Sequence, residues 1–373
     1  MTNSSDNSKT ESSKTEATSM DLATNEEVLI RKRKRSHHRR DARRKRVLLV
    51  VAIIVAVVFV IGCAVFAFIH LGRMSVEQNS QIDAVDTTNN AVSYDEGKTV
   101  KYNGHTYRLN ENMVSLCFMG YDLTERAANA GKNGQADSVM VIAMNLDTGS
   151  VCAIAIPRDS MVDVGEYVGS SFLGQDRMQL CLAFSYGTDA DTGAQYTSRI
   201  ASRVLYNIPI NYYFALNMDG VAAVNDAIGG VSLTALDTIP NTGIYEGEDV
   251  VLYGTKALSY VRYRNTAYLD SSLDRQARQK QYISAFASQA IDLAKQSVPE
   301  VVNLFQIGMS YSATNLSAQE FAYLATELVG KNLTFDVTSI DGEMVQGEVY
   351  AEFELDKSSA YETVLDVYYT QID

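Results

Sequence analysis

The sequence predicts a three-layer α/β/α domain built on a central mixed sheet and preceded by one transmembrane helix. Three observations lead there. Residues 47–69 are 23 uncharged and almost wholly apolar residues, enough to cross about 30 Å of hydrocarbon as a helix. Beyond them come short, nearly continuous apolar runs bounded by turn residues, as in strands covered on both faces. Stretches of helical periodicity alternate with those runs, which puts helices on both sides of a sheet.

Taken in order, residues 1–30 are rich in Ser, Thr, Asn and acids and poor in apolar side chains. Residues 31–46 carry 11 Lys or Arg among 16 positions. Together, 1–46 reads as a disordered basic cytoplasmic tail, and 47–70 as the transmembrane helix. Basic residues beside a span stay in the cytoplasm, so the remainder of the chain is expected outside the cell. This topology accounts for the basic run without a nucleic-acid partner, since no aromatic interleaving or binding fold surrounds it. Val60-Ile61-Gly62-Cys63 resembles a bacterial lipobox, but the apolar run continues through Phe68, so Cys63 reads as part of the span. Residues 71–98 are polar and read as an extracytoplasmic spacer, with the folded domain at 99–373.

From residue 71 onward there are 19 basic and 38 acidic side chains. Such a body repels anionic polymers except where arginines are gathered. Three of the 4 cysteines lie beyond the span, an odd number that argues against a disulfide framework. Buried free thiols are expected, with a Cys117–Cys152 bridge left open.

Strands are expected at 114–119, 138–145, 151–156, 212–218 and 231–235, with Asn145-Leu146-Asp147-Thr148-Gly149 as a hairpin turn. Helices are expected at 192–206, 220–228, 255–263, 273–295, 318–328 and 358–368. In the longest, Ile283, Phe286, Ala287, Ala290, Ile291 and Ala294 form one apolar stripe.

The chemistry is narrowed by what is missing. Beyond residue 70 the only histidine is His105, which makes a zinc site of several histidines or a standard Ser-His-Asp triad hard to build. Carboxylates and arginines remain. If the first three strands form a meander, Asp122 after the first, Asp137 before the second and Arg158-Asp159 after the third lie at one end of the sheet. Arg262 and Arg264 follow, and Arg275, Arg278 and Gln279 share one face of the first turns of a helix. That end of a helix favours anions, and guanidinium forks bind phosphate oxygens in pairs. A phosphate or pyrophosphate site follows, and the neighbouring aspartates suggest Mg²⁺. The bland reading of the same residues is surface ion pairs.

The ordered stretches Phe118-Met119-Gly120-Tyr121-Asp122, Ala136-Asp137-Ser138-Val139-Met140 and Ala155-Ile156-Pro157-Arg158-Asp159-Ser160 resemble the LytR-CpsA-Psr family of cell-envelope phosphotransferases. So do Asp226-Ala227-Ile228-Gly229-Gly230-Val231, Tyr260-Val261-Arg262-Tyr263-Arg264 and Asp274-Arg275-Gln276-Ala277-Arg278-Gln279. The resemblance covers about residues 99 to 373 and implies an apolar groove between sheet and helices for a polyprenyl chain. It implies transfer of an anionic glycan, such as a teichoic acid or capsular polysaccharide, from polyprenyl pyrophosphate to a peptidoglycan hydroxyl. The setting it implies is the outer face of a Gram-positive-type cell membrane, with Mg²⁺ as cofactor. Carried over by position, Asp122 and Asp137 would hold the metal or take the incoming hydroxyl's proton. Arg158, Arg262, Arg264, Arg275 and Arg278 would bind the pyrophosphate, with Gln279 contacting phosphate or neighbouring side chains and Asp159 orienting Arg158. Two positions depart from the family pattern: Gln135 stands where an arginine is usual, and Ser272 where an aspartate is. They keep open a second reading, a catalytically weak paralogue that binds polyprenyl phosphate or glycan or regulates the envelope.

The charge asymmetry generates a topological prediction. Protease added to intact protoplasts should remove the C-terminal domain, and its protection would reverse the orientation.

Overall fold

The structure, a computed structural model, describes residues 53–79, 85–88, 90–122, 134–168, 171–265, 267, 270–331, 333–348 and 350–373, with no side-chain description at 166–168 and 171–173. The expected tail and residues 47–52 of the expected span lie outside these. The chain divides into two units, 1–67 and 68–373. In the first, the described residues belong to helix α1, Ile53–Asn79, whose 27 residues are long and apolar enough to cross a membrane.

The second unit is organised by a tight turn. Asn145 Oδ1 accepts from the backbone N–H of Asp147 at 2.9 Å and Thr148 at 3.1 Å, and Gly149 takes φ +81°, which a side chain would disfavour. This turn joins β2 (Gln135–Asn145) to β3 (Ser150–Ile156), while β1 (Met113–Asp122) lies antiparallel on the other side of β2. The expected meander is therefore present. β4 (Tyr212–Asn217) runs parallel to β1, and β5 (Ser312–Thr314) antiparallel to β4. β6 (Thr334–Ser339) runs parallel to β3, giving a mixed sheet of order β5-β4-β1-β2-β3-β6.

Alternate residues of these strands feed two cores. Cys117, Met119, Val139, Val141 and Ile154 pack on one face with α2 (Ala190–Val204), a 3-10 helix at Leu180–Tyr186, and a C-terminal helix. On the other face Val114, Met144, Val151 and Tyr212 pack with Tyr323, Leu324 and Leu328. The remaining helices are α3 (Gly220–Ala227), α4 (Thr255–Arg262), α5 (Ser271–Gln296), α6 (Val298–Met309), α7 (Ala318–Val329) and the C-terminal α8 (Lys357–Tyr368). Helices on both faces confirm the expected three layers, and all six expected helices are present within about two residues. Helix α6 and strands β5 and β6 are not among the expected elements.

The four cysteines are free. Cys117 on β1 and Cys152 on β3 flank β2, and strands two apart in a sheet are separated by more than a disulfide spans.

Residues 71–98 are not the expected spacer. Helix α1 runs to Asn79 rather than ending at 70, and Val76 is 1% exposed against the α7 side of the sheet. Gly72 passes so close to α7 that a Cβ there would lie 2.1 Å from the Gln319 carbonyl oxygen. Val92–Tyr94 and Thr99–Tyr102 then pair in a separate four-stranded sheet completed by His105–Leu109 and Tyr369–Gln371. Ser75 and Asn79 are polar yet reach a carboxylate of the packed domain, and composition does not distinguish such residues from a linker.

Glu320 fixes the docking of α1. Its carboxylate accepts from Ser317 Oγ at 2.6 Å and Ser317 N at 2.8 Å in a capping box. It also accepts from Ser75 Oγ at 2.6 Å and Tyr212 Oη at 3.1 Å. Burial pushes the Glu320 carboxyl up, but these donors outweigh it and hold it below its ordinary value. A depressed folded value means the group stabilises the fold fully above about pH 4.3 and progressively less as pH falls through the folded value. Glu320→Ala should therefore cost about 2 kcal/mol in urea unfolding at neutral pH. The difference from the parent should shrink in acid. An unchanged midpoint at pH 7 would show that the latch carries no stability.

Candidate phosphate-binding site

The three chain ends of the meander meet as strand direction requires. Gly120 pairs with Ser138 but Tyr121 with Ala136, so Asp137 is the extra residue of a β-bulge. Bulges leave one residue out of the ladder and re-aim it. Asp122, the last residue of β1, pairs with Gln135. β3 ends opposite Val139, and the chain then turns at Pro157, whose carbonyl oxygen accepts from Ser160 N at 3.0 Å and Ser160 Oγ at 2.6 Å. That turn carries Arg158 and Asp159 back over the sheet end.

Arg158 is the centre of the cluster. One terminal nitrogen, Nη1, is ion-paired with Asp137 Oδ1. The other, Nη2, donates to Gln135 Oε1 and to Cys181 Sγ, both at 2.9 Å, while Nε lies 3.3 Å from Asp159 Oδ1. Asp159 thus orients Arg158, and Gln179 Nε2 in turn donates to Asp159 Oδ1 at 3.2 Å. Burial raises the Cys181 thiol, with the Arg158 charge opposing it, so the sulfur stays a neutral acceptor at physiological pH.

Arg275 completes the core of the site, with Nη1 3.7 Å from Asp137 Oδ1. Burial, followed by the charges of Arg158 and Arg264, lowers its pKa to about 10. Its guanidinium remains charged at neutral pH, in surroundings where a further anion would be welcome. A cleft of about 10 Å³ is lined by Asp137, Pro157, Arg158, Ser272, Arg275 and Gln279 among others. That holds roughly one water, so the Arg158–Asp137 pair closes the space a phosphate would need.

Arg262 and Arg264 stand farther out. Arg262 Nη2 is 2.5 Å from Asp122 Oδ2 in a half-exposed pair, and Arg264 Nε donates to Ser271 Oγ at 3.0 Å. Arg278 departs from its expected role. It is 2% exposed, paired with Asp237, and donates to the carbonyl oxygens of Tyr260 and Tyr263. Gln279 Nε2 donates to the Val261 carbonyl oxygen at 3.1 Å. These are the carbonyls left open at the end of α4, so Arg278 and Gln279 cap that helix and set the course of the segment bearing Arg262 and Arg264. The i, i+3, i+4 face was legible in the sequence, but its division between ligand and cap was not.

Asp122 and Asp137, the expected Mg²⁺ ligands, each hold a guanidinium. Among the described residues no group of three or more His, Cys, Asp or Glu gathers as a metal cage. Two carboxylates do fit Mg²⁺ when phosphate oxygens and water complete the shell, the usual arrangement for that ion. Gln135, Cys181 and Ser272 were missed as site residues. Gln135 neighbours the Asp137 motif, whereas no sequence signal ties Cys181 to Arg158 across 23 positions.

The LytR_cpsA_psr family model matches residues 74–365. The chain belongs to the LytR-CpsA-Psr family. The match begins at Met74, so the packed end of α1 falls inside the family domain. The chain is 24% identical over 277 residues to the polyisoprenyl-teichoic acid–peptidoglycan teichoic acid transferase TagU of Oceanobacillus iheyensis, covering 73% of this chain and 81% of that one. It is 26% identical over 261 residues to the cell wall biosynthesis protein LcpA of Corynebacterium glutamicum, covering 64% of this chain but only 50% of that relative. The crystal structure of Bacillus subtilis TagV superposes with a TM-score of 0.55 over 68% of this chain and 95% of that one at 22% identity, a likeness of fold. Of the motifs that carry the LytR-CpsA-Psr resemblance, those bearing Asp137, Arg158 and Arg275 meet in the Arg158 cluster.

Arg278 and Arg262 should separate cap from surface pair. Arg278→Ala strands Asp237 and two carbonyls, those of Tyr260 and Tyr263, and should cost about 3 kcal/mol or more in unfolding followed by circular dichroism. Arg262→Ala should cost under about 1 kcal/mol. Equal losses would contradict the capping role.

Proposed function

We propose that this chain transfers an anionic glycan polymer from a polyprenyl-pyrophosphate carrier to a peptidoglycan hydroxyl during cell wall assembly. It does so as a single-pass membrane protein with its N-terminus in the cytoplasm and its catalytic domain outside. The observation that carries this reading is the pair of guanidiniums, Arg158 and Arg275, converging on Asp137 beside the start of α5 in a LytR-CpsA-Psr family member. The relative named as a polyisoprenyl-teichoic acid–peptidoglycan transferase supports the substrate class.

An apolar layer suits the carrier. Leu116, Phe118 and Ile142 lie mid-strand yet are only half-buried, as are Ile283, Phe286, Ala287, Ala290 and Ile291 of the α5 stripe. Phe118, Phe214, Phe305 and Phe321 form a chain of rings with centroid separations of 6.3, 5.5 and 4.1 Å. A polyprenyl tail along this layer would leave its pyrophosphate near the arginines.

In the transfer, the acceptor hydroxyl oxygen attacks the phosphorus bearing the glycan. The bond from that phosphorus to the bridging oxygen breaks, and polyprenyl phosphate leaves. Arg158 and Arg275 hold the pyrophosphate oxygens and stabilise the charge that collects on the leaving phosphate, with Arg262 and Arg264 contributing from the rim. The hydroxyl proton passes to a carboxylate, Asp122 or Asp137. Mg²⁺ held by these two aspartates together with pyrophosphate oxygens would neutralise further phosphate charge.

Arg158→Ala should weaken binding of the carrier pyrophosphate about tenfold or more, since one charged hydrogen-bonding partner is worth about 1.5 to 3 kcal/mol. Asp122→Asn should suppress Mg²⁺-dependent release of polyprenyl phosphate from a lipid-linked saccharide while leaving thermal unfolding unchanged. If both variants keep full rate, the site is misassigned. A parent that binds the lipid but releases no polyprenyl phosphate with any glycan would instead be a binding paralogue.

A further inference from the structure

Ser272 lies in the first turn of α5 and is 5% exposed, and its buried Oγ has no hydrogen-bond partner among the described residues. Arg275 Nη2, lining the same cleft, is in the same state. Arg158 Nε and Asp137 Oδ1, from two further residues lining this cleft, also make no hydrogen bond. Leaving buried polar groups unpaired is costly, and three of these four atoms are donors, so the cleft points to a missing acceptor. Ser272 does not serve its own helix. The first-turn N–H groups of Leu273 and Asp274 are satisfied by the Asp270 carbonyl oxygen at 2.8 and 3.2 Å, and the Asp270 side chain makes no cap.

The chemistry of the missing partner follows from the donors. A guanidinium can only donate, and a serine hydroxyl can donate to an oxygen. The start of a 26-residue helix adds a positive field. The cleft of about 10 Å³ admits one oxygen-sized atom. An anionic oxygen meets all of these conditions.

We propose that Ser272 is a substrate-contact residue whose hydroxyl donates to a phosphoryl oxygen that Arg275 also binds. This rests on the pyrophosphate reading of Arg158 and Arg275. A neutral hydroxyl adds a donor without adding charge, so Ser272 helps the cleft accept a bare phosphoryl oxygen.

The test is calorimetric titration of inorganic pyrophosphate into the full-length chain in detergent, for the parent, Ser272→Ala, Ser272→Asp and Arg158→Ala. Ser272→Ala should bind about tenfold more weakly, with an unchanged or raised Tm, because the lost hydroxyl had no partner in the free protein. Ser272→Asp loses the hydroxyl donor as well and should bind no more tightly than Ser272→Ala. Parental affinity in Ser272→Ala would overturn the assignment, as would a lowered Tm with affinity kept. If the parent binds, Arg158→Ala is weakened and Ser272→Ala is not, only the Ser272 role falls. If the parent shows no pyrophosphate binding, the pyrophosphate reading falls and takes Ser272 with it.

Discussion

A guanidinium taken out of water must be met by acceptors on nearly every side, and the end of this sheet is organised around meeting that need for Arg158. Its four partners come from three places in the chain: Gln135 and Asp137 at the start of β2, Asp159 next to it, and Cys181 in the 3-10 helix. The backbone contributes as well, since Cys181 N donates to the Arg158 carbonyl oxygen at 3.0 Å. A long connection between β3 and α2 is thereby tied to the strand end at two points. The bulge at Asp137 belongs to the same solution, because regular pairing would hold that residue in the ladder instead of leaving it free to be re-aimed.

A second buried arginine works at longer range. Arg278 and Gln279 complete the carbonyls at the end of α4, which fixes how the chain leaves that helix toward Arg264. Arg264 then contacts Ser271 at the start of α5, the helix from which Arg278 itself projects. The two helices therefore brace one another through side chain to backbone contacts. Arg275, one turn before Arg278, gains a fixed direction from this bracing. Arg278, which does not line the cleft, thus braces the helix that carries residues lining it.

Local signals made much of this legible in the sequence. The Asn145–Gly149 turn and the apolar runs beside it specify a meander, and a meander alone brings Asp122, Asp137 and Arg158 to one end. Non-local facts were not legible. Whether an arginine on a helix face meets a ligand or a neighbouring carbonyl depends on where α4 stops, and nothing near Arg278 in the chain encodes that. The segment after the span misled for a related reason. Ser75, Gln78 and Asn79 are polar, yet Ser75 and Asn79 face Glu320, a buried acceptor 245 positions from Ser75. Composition records polarity but not whether a buried partner answers it.

The closed cleft is best understood as a competition between two anions. In the free protein the Asp137 carboxylate occupies the Arg158 fork and approaches Arg275, so the positive site is already neutralised by the chain itself. A pyrophosphate can enter only by taking those guanidiniums away from Asp137, and it offers them more oxygens and more charge than one carboxylate. That exchange has a chemical consequence. An aspartate released from a buried ion pair loses the partner that stabilised its ionised form and becomes a better proton acceptor. Under the proposed function, binding the phosphate and preparing a base for the incoming hydroxyl would be one event, because Asp137 and the substrate would use the same guanidinium in turn. The gain in affinity is reduced by the cost of breaking the internal pair, and that cost also keeps two buried arginine charges neutralised while the site waits for substrate.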